Sequence, residues 1–458
     1  MAMLIKVMES MVMMFGTVRG QLDRFKVCLV LRVPMRDQSM LVSFIASRAA
    51  RFLCIALACS MSLGAAAQQA PDRAASMPVQ VSDQKIESKG EEKKSILTIE
   101  EERLTDALNA IPELEAQISD LKVVWSAELA ASHSLTDLCN TVERLGLVLW
   151  RNHSGAVQAR DPFDDRALYW QRLAMAPLAR DRADALGLTA SERATLIARF
   201  EQASRGQTDV HWDPSSDLKV LMTGFDPFSL DRRIDQSNPS GLIALALDGQ
   251  RFEVAGHRVE INSALFPVRY GDFDADVLED WLEPIFQSTS LGLFLSVSMG
   301  RDQFDLERFP GRRRSSTALG NLREHTGGSQ ASPQPPLYRG MPIDGAEFVE
   351  FSLPAAAMQL AEGAFQIRDN RRVATLERGS FIARSLGELQ DQTAVLGSGG
   401  GYLSNEISYR SIRLAESLNL DFPMGHIHTP RVKGYDPERT TQMLEQVQAM
   451  MTRALKRF

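Results

Sequence analysis

Leu396–Tyr409 reads LGSGGGYLSNEISY. An apolar strand ends, a glycine-rich turn follows, and an amphipathic helix begins with Ser404 at the junction. Unpaired backbone N–H groups and the positive end of a helix dipole gather at such a point, which suits a nucleophile or an anion cradle. The same residues also read as a simple helix cap, because Ser and Asn are both favoured there. The strand–turn–helix grammar itself decides the fold class, and it recurs on either side of this stretch.

Working outward, short apolar runs at Lys219–Thr223, Arg258–Val268, Leu291–Val297, Thr393–Leu396 and Pro423–His428 fit buried strands. Helical patterns separate them at Ser240–Leu247, Asp274–Phe286, Leu353–Glu362, Asn405–Leu418 and Thr440–Leu455. Such alternation predicts an α/β three-layer sandwich over 218–458 with a mostly parallel sheet. Ligands of these sheets sit beyond the carboxyl ends of the strands. Residues 310–342 break the rhythm with Pro310-Gly311-Arg312-Arg313-Arg314 and a Gly/Ser/Pro/Gln-rich segment, so an irregular loop with solvated arginines is expected, one of them available to an anion.

Upstream, residues 97–212 carry a 3.6 period through Leu97, Leu104, Ile111 and Ile118, then Leu135–Trp150, Arg166–Leu178 and Ala190–Phe200, which predicts an all-helical domain. Thr189 and Glu192 have the spacing of a capping box. Residues 68–96 are polar and end in a charge run, the composition of a disordered linker. Before them, Arg48 and Arg51 precede the apolar run Phe52–Leu63 and the small residues to Ala67, the pattern of a secretory signal with a cut after Ala67 and a start at Met40. Export to the periplasm or medium is therefore expected; a lipoprotein signal at Cys59 is a lower-ranked alternative, and a cytoplasmic protein follows if the signal reading fails.

Export leaves Cys139 as the one cysteine of the mature chain, so no internal disulfide can form, and its apolar helical context reads as a small buried hydrophobe. The 458 residues are 44% hydrophobic and 24% charged with a net charge of −7, an ordinary globular composition. No basic stripe with interleaved aromatics points to nucleic acid. No apolar run reaches the roughly 18 residues of a membrane span.

Read together, the strand ends bring a hydroxyl, an imidazole and a carboxylate: Ser404, His428 and Glu307. A serine is a weak nucleophile until a base takes its proton, and a histidine serves as that base when a carboxylate fixes its tautomer. His426 shares a face with His428 if the strand is regular and reads as structural. Asp226 reads as a brace for the turn before Pro227. His133, His153, His211, His257 and His325 show no constellation, and no metal or cofactor motif is present.

In order and spacing, TGFDPF (Thr223–Phe228), Asn238-Pro239-Ser240, Gly300-Arg301 with Glu307, Phe351–Pro354, Gly400–Asn405 and Gly425–Pro430 resemble the pyroglutamyl-peptidase I (pyrrolidone-carboxylate peptidase) family over about 218–435. The resemblance implies a cysteine-type omega peptidase that removes an N-terminal pyroglutamyl residue through an acyl-enzyme, without cofactor, and a homo-oligomer. It places the family's glutamate on Glu307 and histidine on His428, its lactam-packing phenylalanines on Phe225 and Phe228, and further substrate contacts on Asn238 and Arg301. Two aromatic faces suit a flat neutral lactam.

The departures matter equally. The nucleophilic cysteine of the family is Ser404 here, with no cysteine after Cys139; its substrate-binding glutamine is Val297; and about twenty residues inside Gln366–Gln392 have no counterpart. Two outcomes follow. Ser404, His428 and Glu307 retain types that make a serine triad, giving a pyroglutamyl-peptidase-like hydrolase of peptides. Alternatively the loss of the thiol leaves an inactive homologue that binds peptides or partners.

Overall fold

The computed structural model describes residues 97–456. The signal and linker readings lie outside the described residues.

Helices open the described chain, three of them beginning on a residue whose side chain accepts from a free N–H group of the first turn. Thr98 and Glu101 form a capping box at α1 (Ile99–Glu102), which leads through α2 (Leu104–Ala110) into α3 (Glu113–Ala130). Ser134 caps the 25-residue α4 (Leu135–Ala159) by accepting from Asp137 N. After α5 (Arg166–Ala185), the capping box expected at Thr189 and Glu192 starts α6 (Ala190–Ser204). Leu138, Val142, Leu145 and Leu149, spaced three or four apart, form one buried stripe of α4. Gly146 lets α4 close on α6: a Cβ there would stand 2.9 Å from Ala203 Cβ. Trp125, Trp170 and Phe200 fill the core of this region, and Cys139 lies buried beside them with burial pushing its thiol pKa up.

Among the described residues the main sheet has seven strands, in the order β2 (Arg251–Val254), β3 (His257–Phe266), β1 (Leu218–Phe225), β4 (Leu293–Met299), β12 (Met424–Thr429), β5 (Phe304–Glu307) and β8 (Ile367–Asn370). β1, β3, β4 and β12 run parallel as its centre. β2 is antiparallel to β3 and β5 to β12, and β8 follows β5 in parallel. The central strands are buried on both faces, as parallel strands covered by helices must be. α7 (Pro239–Leu247) lies on β1; the short α8 (Tyr270–Asp274) precedes α9 (Val277–Ser288); the one-turn α10 (Ala355–Met358) packs with the last helix; α11 (Leu403–Ser417) lies beside α9; and α12 (Pro437–Leu455) closes the chain against α7. The result is a mostly parallel mixed sheet with helices on both sides, preceded by an all-helical region.

The helical region is fused to this sandwich within one compact unit. α4 packs on α7, and Trp150 of α4 donates from Nε1 to Asp248 Oδ2 at 3.0 Å. Leu149, Trp150, Val157, Phe163 and Leu168 therefore belong to the core of the sheet.

Three local expectations are corrected. Thr393–Leu396 does not enter the main sheet: β11 (Ala394–Leu396) pairs antiparallel with β9 (Arg372–Thr375), which also pairs with β10 (Gly379–Ile382) in a separate three-stranded sheet. The helix expected over Leu353–Glu362 shrinks to α10, since the chain turns away at Gln359 into the strand β8. The loop after Glu307 is irregular apart from the small antiparallel pair β6 (Leu337–Tyr338) and β7 (Met341–Pro342), but its arginines are not solvated. Arg312 and Arg313 pair with Glu347, and Arg314, 3% exposed, is clamped between Glu406 and Asp274.

Candidate active site

The turn Gly397–Gly401 is built by close approach. A Cβ on Gly397 would lie 1.9 Å from Asn405 Oδ1, and Gly400 sits at φ +93°, a conformation open to glycine. Asn405 faces the arginine loop, its Oδ1 accepting from Gly311 N at 2.9 Å and its Nδ2 donating to Gly311 O at 2.7 Å. The next residue, Glu406, takes Arg314 Nε at 2.6 Å and Nη2 at 2.8 Å. Together these fix the first turn of α11 against the loop.

Ser404 is the second residue of that helix and not its cap. The N-cap is Tyr402, whose side chain caps nothing, so the N–H groups of the first turn are left without a side-chain acceptor. Ser404 is nearly buried, and its hydroxyl donates to Gly399 O at 3.3 Å. The cap reading of Ser404 therefore gives way to a hydroxyl turned toward the glycine loop.

β5 and β12 bring the base and the carboxylate together. Glu307 ends β5, a strand absent from the apolar runs of the sequence, which pairs with β12 at Ile427–Leu306 and His428–Asp305. The Nδ1 of His428 and Oε1 of Glu307 are 2.6 Å apart. Glu307 Oε2 accepts from Asn370 Nδ2 at 2.8 Å, and the same amide donates to Ser398 O at 2.9 Å. Burial pushes the Glu307 carboxyl up; the imidazole of His428 and the Asn370 amide oppose it. With Nδ1 engaged, His428 has Nε2 free for proton transfer.

His426 does share the face of His428, its ring edge-on at 4.8 Å. It is fully buried between Ser296 Oγ and Ser298 Oγ, each 2.7 Å from one ring nitrogen. Burial holds its pKa well below the usual histidine range, and both nitrogens are spent on serines, so it is a neutral structural partner.

A cavity of ≈ 330 Å³ joins these groups. Ser404, His428 and Glu307 line it, as do Phe225, Phe228, Arg301 and Asn238. Phe225 is packed face to face on Phe273, rings 6.3 Å apart. Asn238 is spent on structure: its Oδ1 accepts from Ser240 N and Oγ to start α7, and its Nδ2 donates to Asp226 O at 2.9 Å. Asp226 does more than brace its turn. Arg172 of α5 and Arg205, just beyond α6, grip its carboxylate at 2.9 Å, tying the helical region to the end of β1. Beside it, Asp165 accepts from Ser237 Oγ at 2.6 Å and Asn238 N at 2.8 Å, and burial raises its pKa to about 7.

Asn370 escaped the sequence reading. The one signal for it was an extra segment in Gln366–Gln392, which carries no motif to say which polar residue turns inward. Among the described residues no three His, Cys, Asp or Glu side chains assemble as a metal site, and no helix is long and apolar enough to cross a membrane.

Residues 219–355 and 384–433 match the model of the PA0049 C-terminal domain, and residues 81–201 match that of the PA0049 N-terminal domain. Both regions thus resemble one two-domain protein. The uncharacterized protein PA0049 of Pseudomonas aeruginosa is 29% identical over 413 residues, covering 68% of this chain and 74% of its own. Among solved structures, pyrrolidone carboxyl peptidase of Pyrococcus furiosus is 22% identical, covering 52% of this chain and 99% of its own with a TM-score of 0.37. A mutant form of that peptidase gives 21%, 52% and 99% with a TM-score of 0.36.

Proposed function

We propose that the chain is a serine-type, pyroglutamyl-peptidase-like hydrolase that removes an N-terminal pyroglutamyl or similar acyl residue from peptides. One observation carries the reading: the 2.6 Å pair of His428 Nδ1 and Glu307 Oε1 opens on the same cavity as the Ser404 hydroxyl at an uncapped helix N-terminus. The six motifs that resemble pyroglutamyl peptidases supply the substrate class.

In this reading His428 Nε2 takes the Ser404 proton as Oγ attacks the acyl carbonyl. Glu307 holds the tautomer and stabilises the imidazolium. The free N–H groups at the start of α11 face the oxyanion that forms. His428 then returns the proton to the leaving amine, and water repeats the cycle on the acyl-enzyme. Phe225 and Phe228 cover the lactam ring. The signal-like segment supports a reaction outside the cytoplasm, which amino-terminal sequencing of the mature protein tests.

A second reading has one observation in its favour: the Ser404 hydroxyl donates to Gly399 O and not to His428, as in a peptide-binding homologue without turnover. Hydrolysis of a pyroglutamyl chromogenic amide by the wild type, Ser404→Ala and Ser404→Cys separates the two. Turnover lost in Ser404→Ala supports the serine enzyme. A silent wild type with activity gained in Ser404→Cys overturns it.

A further inference from the structure

The cavity carries charge that the mechanism above leaves unused. Four arginines line it, Arg301, Arg368, Arg372 and Arg431, against two carboxylates, Asp305 and Glu307. Both carboxylates are occupied. Asp305 takes Arg368 Nε and Nη2 at 2.8 Å each, and Glu307 holds His428 and Asn370. The guanidiniums of Arg301, Arg372 and Arg431 have no hydrogen-bond or ion-pair partner among the described residues. Three unmatched cations on one cavity repel one another and focus a positive field where an anion is bound best. A guanidinium meets a carboxylate with two parallel hydrogen bonds, which makes carboxylate the natural guest.

Sheet order gives this field a direction. Phe225 and Phe228 leave β1 on one side of β4 and β12, while β5 and β8 lie on the other. Arg301 and Arg431 follow β4 and β12, their turns joined by Arg431 N donating to Arg301 O at 2.6 Å. Arg372 opens β9, directly after β8. An acyl ring held by the phenylalanines, with its scissile bond at Ser404, sends its leaving group toward the arginines. Arg301 and Arg431 lie within the residues that match the PA0049 C-terminal domain, whereas Arg368, Asn370 and Arg372 belong to residues 356–383, which the match leaves out.

We propose that this wall is a carboxylate subsite for the leaving group. The substrates are short pyroglutamyl peptides in which the residue released carries a carboxylate, either the free α-carboxyl of a dipeptide or an acidic side chain beside the scissile bond. This rests on the hydrolase reading of the same site.

The test compares pyroglutamyl-alanine with its C-terminal amide, and pyroglutamyl-aspartate amide with pyroglutamyl-asparagine amide, in the wild type, Arg372→Gln, Arg431→Gln and Arg372→Lys. The acid of at least one pair is expected to exceed its neutral counterpart about tenfold in kcat/KM, mostly through KM, and the advantage shrinks with salt. The pair that shows the preference identifies which carboxylate is read. Each glutamine variant narrows that ratio several-fold and Arg372→Lys restores part of it, which a loss of folding would not do. Equal rates on acid and neutral forms in both pairs overturn the subsite while leaving the hydrolase intact. Calorimetric binding of the same four peptides to Ser404→Ala covers a wild type that does not turn over. Preferential binding of an acid then sustains the subsite and sinks the hydrolase; equal binding, or none, overturns the subsite as well.

Discussion

Two arginine-rich regions of the molecule stand in contrast. At the junction of the helices with the sheet, each buried arginine has its anion: Arg172 and Arg205 share Asp226, Arg269 meets Glu100 and Glu201, and Arg166 holds Asp164. In the cavity, Arg301, Arg372 and Arg431 have none among the described residues. Charge removed from water must be matched within the fold, because an unpaired buried ion costs more than the fold can supply. Exposed charge can stay unmatched at little cost and wait for a ligand. The junction arginines therefore hold the structure together, and the cavity arginines are left for chemistry.

The strongest way to break this division is to remove the nucleophile. Ser404→Ala is expected to lower kcat on a pyroglutamyl amide by ~10⁴-fold or more without shifting the unfolding midpoint appreciably. Glu307→Gln keeps a hydrogen-bonding group beside His428 Nδ1 but removes the charge that stabilises the imidazolium; a kcat loss of ~10²–10⁴-fold is expected in steady-state assays. On the junction side, Asp226→Ala leaves Arg172 and Arg205 buried without their carboxylate and is expected to cost about 3–5 kcal/mol in urea unfolding. A loss under 1 kcal/mol would place the grip between helices and sheet elsewhere.

Asp165 gives the junction a pH signature. Its folded pKa, about 7, lies above its ordinary 3.8, with burial the leading cause, Asp164 adding to it, and Ser237, Asn238 and Arg166 opposing. The folded protein then binds more protons than the unfolded chain between those values, so this group makes stability fall as pH rises from about 4 to 7. Asp165→Asn is expected to flatten that slope in unfolding curves taken across the window. Smallest of all is Arg372→Gln: its exposed side chain is expected to change stability by no more than about 0.5 kcal/mol while narrowing the acid-to-amide ratio. A large stability loss there would move Arg372 to the structural group.

The strand–turn–helix grammar and the helical amino-terminal region were legible because apolar periodicity is a local property of the chain. Ser404, His428 and Glu307 were legible as a set because each sits at an element end within a motif. Glu307's own strand was not, since FDLE is four residues long and pairs antiparallel with a strand about 120 residues away. Asn370 and the unpaired arginines were equally hidden: an amide or a guanidinium in a motif-free segment has no periodicity to show which way it points. Arg314 was misread in the other direction, as solvated, because its partners Glu406 and Asp274 are 92 and 40 residues away.

The sequence by itself determined the alternation of elements, the residue types of the candidate triad and the glycine turn that carries Ser404. Only the tertiary structure decided that Ser404 is the second residue of α11 and not its cap, that Asp226 is held by two arginines from the helical region, and that the extra segment folds into the cavity wall. The physical reason is range: capping and periodicity act over a few residues, whereas charge pairing joins groups that the chain separates by 21 residues, as for Arg205 and Asp226, to 121, as for Glu307 and His428.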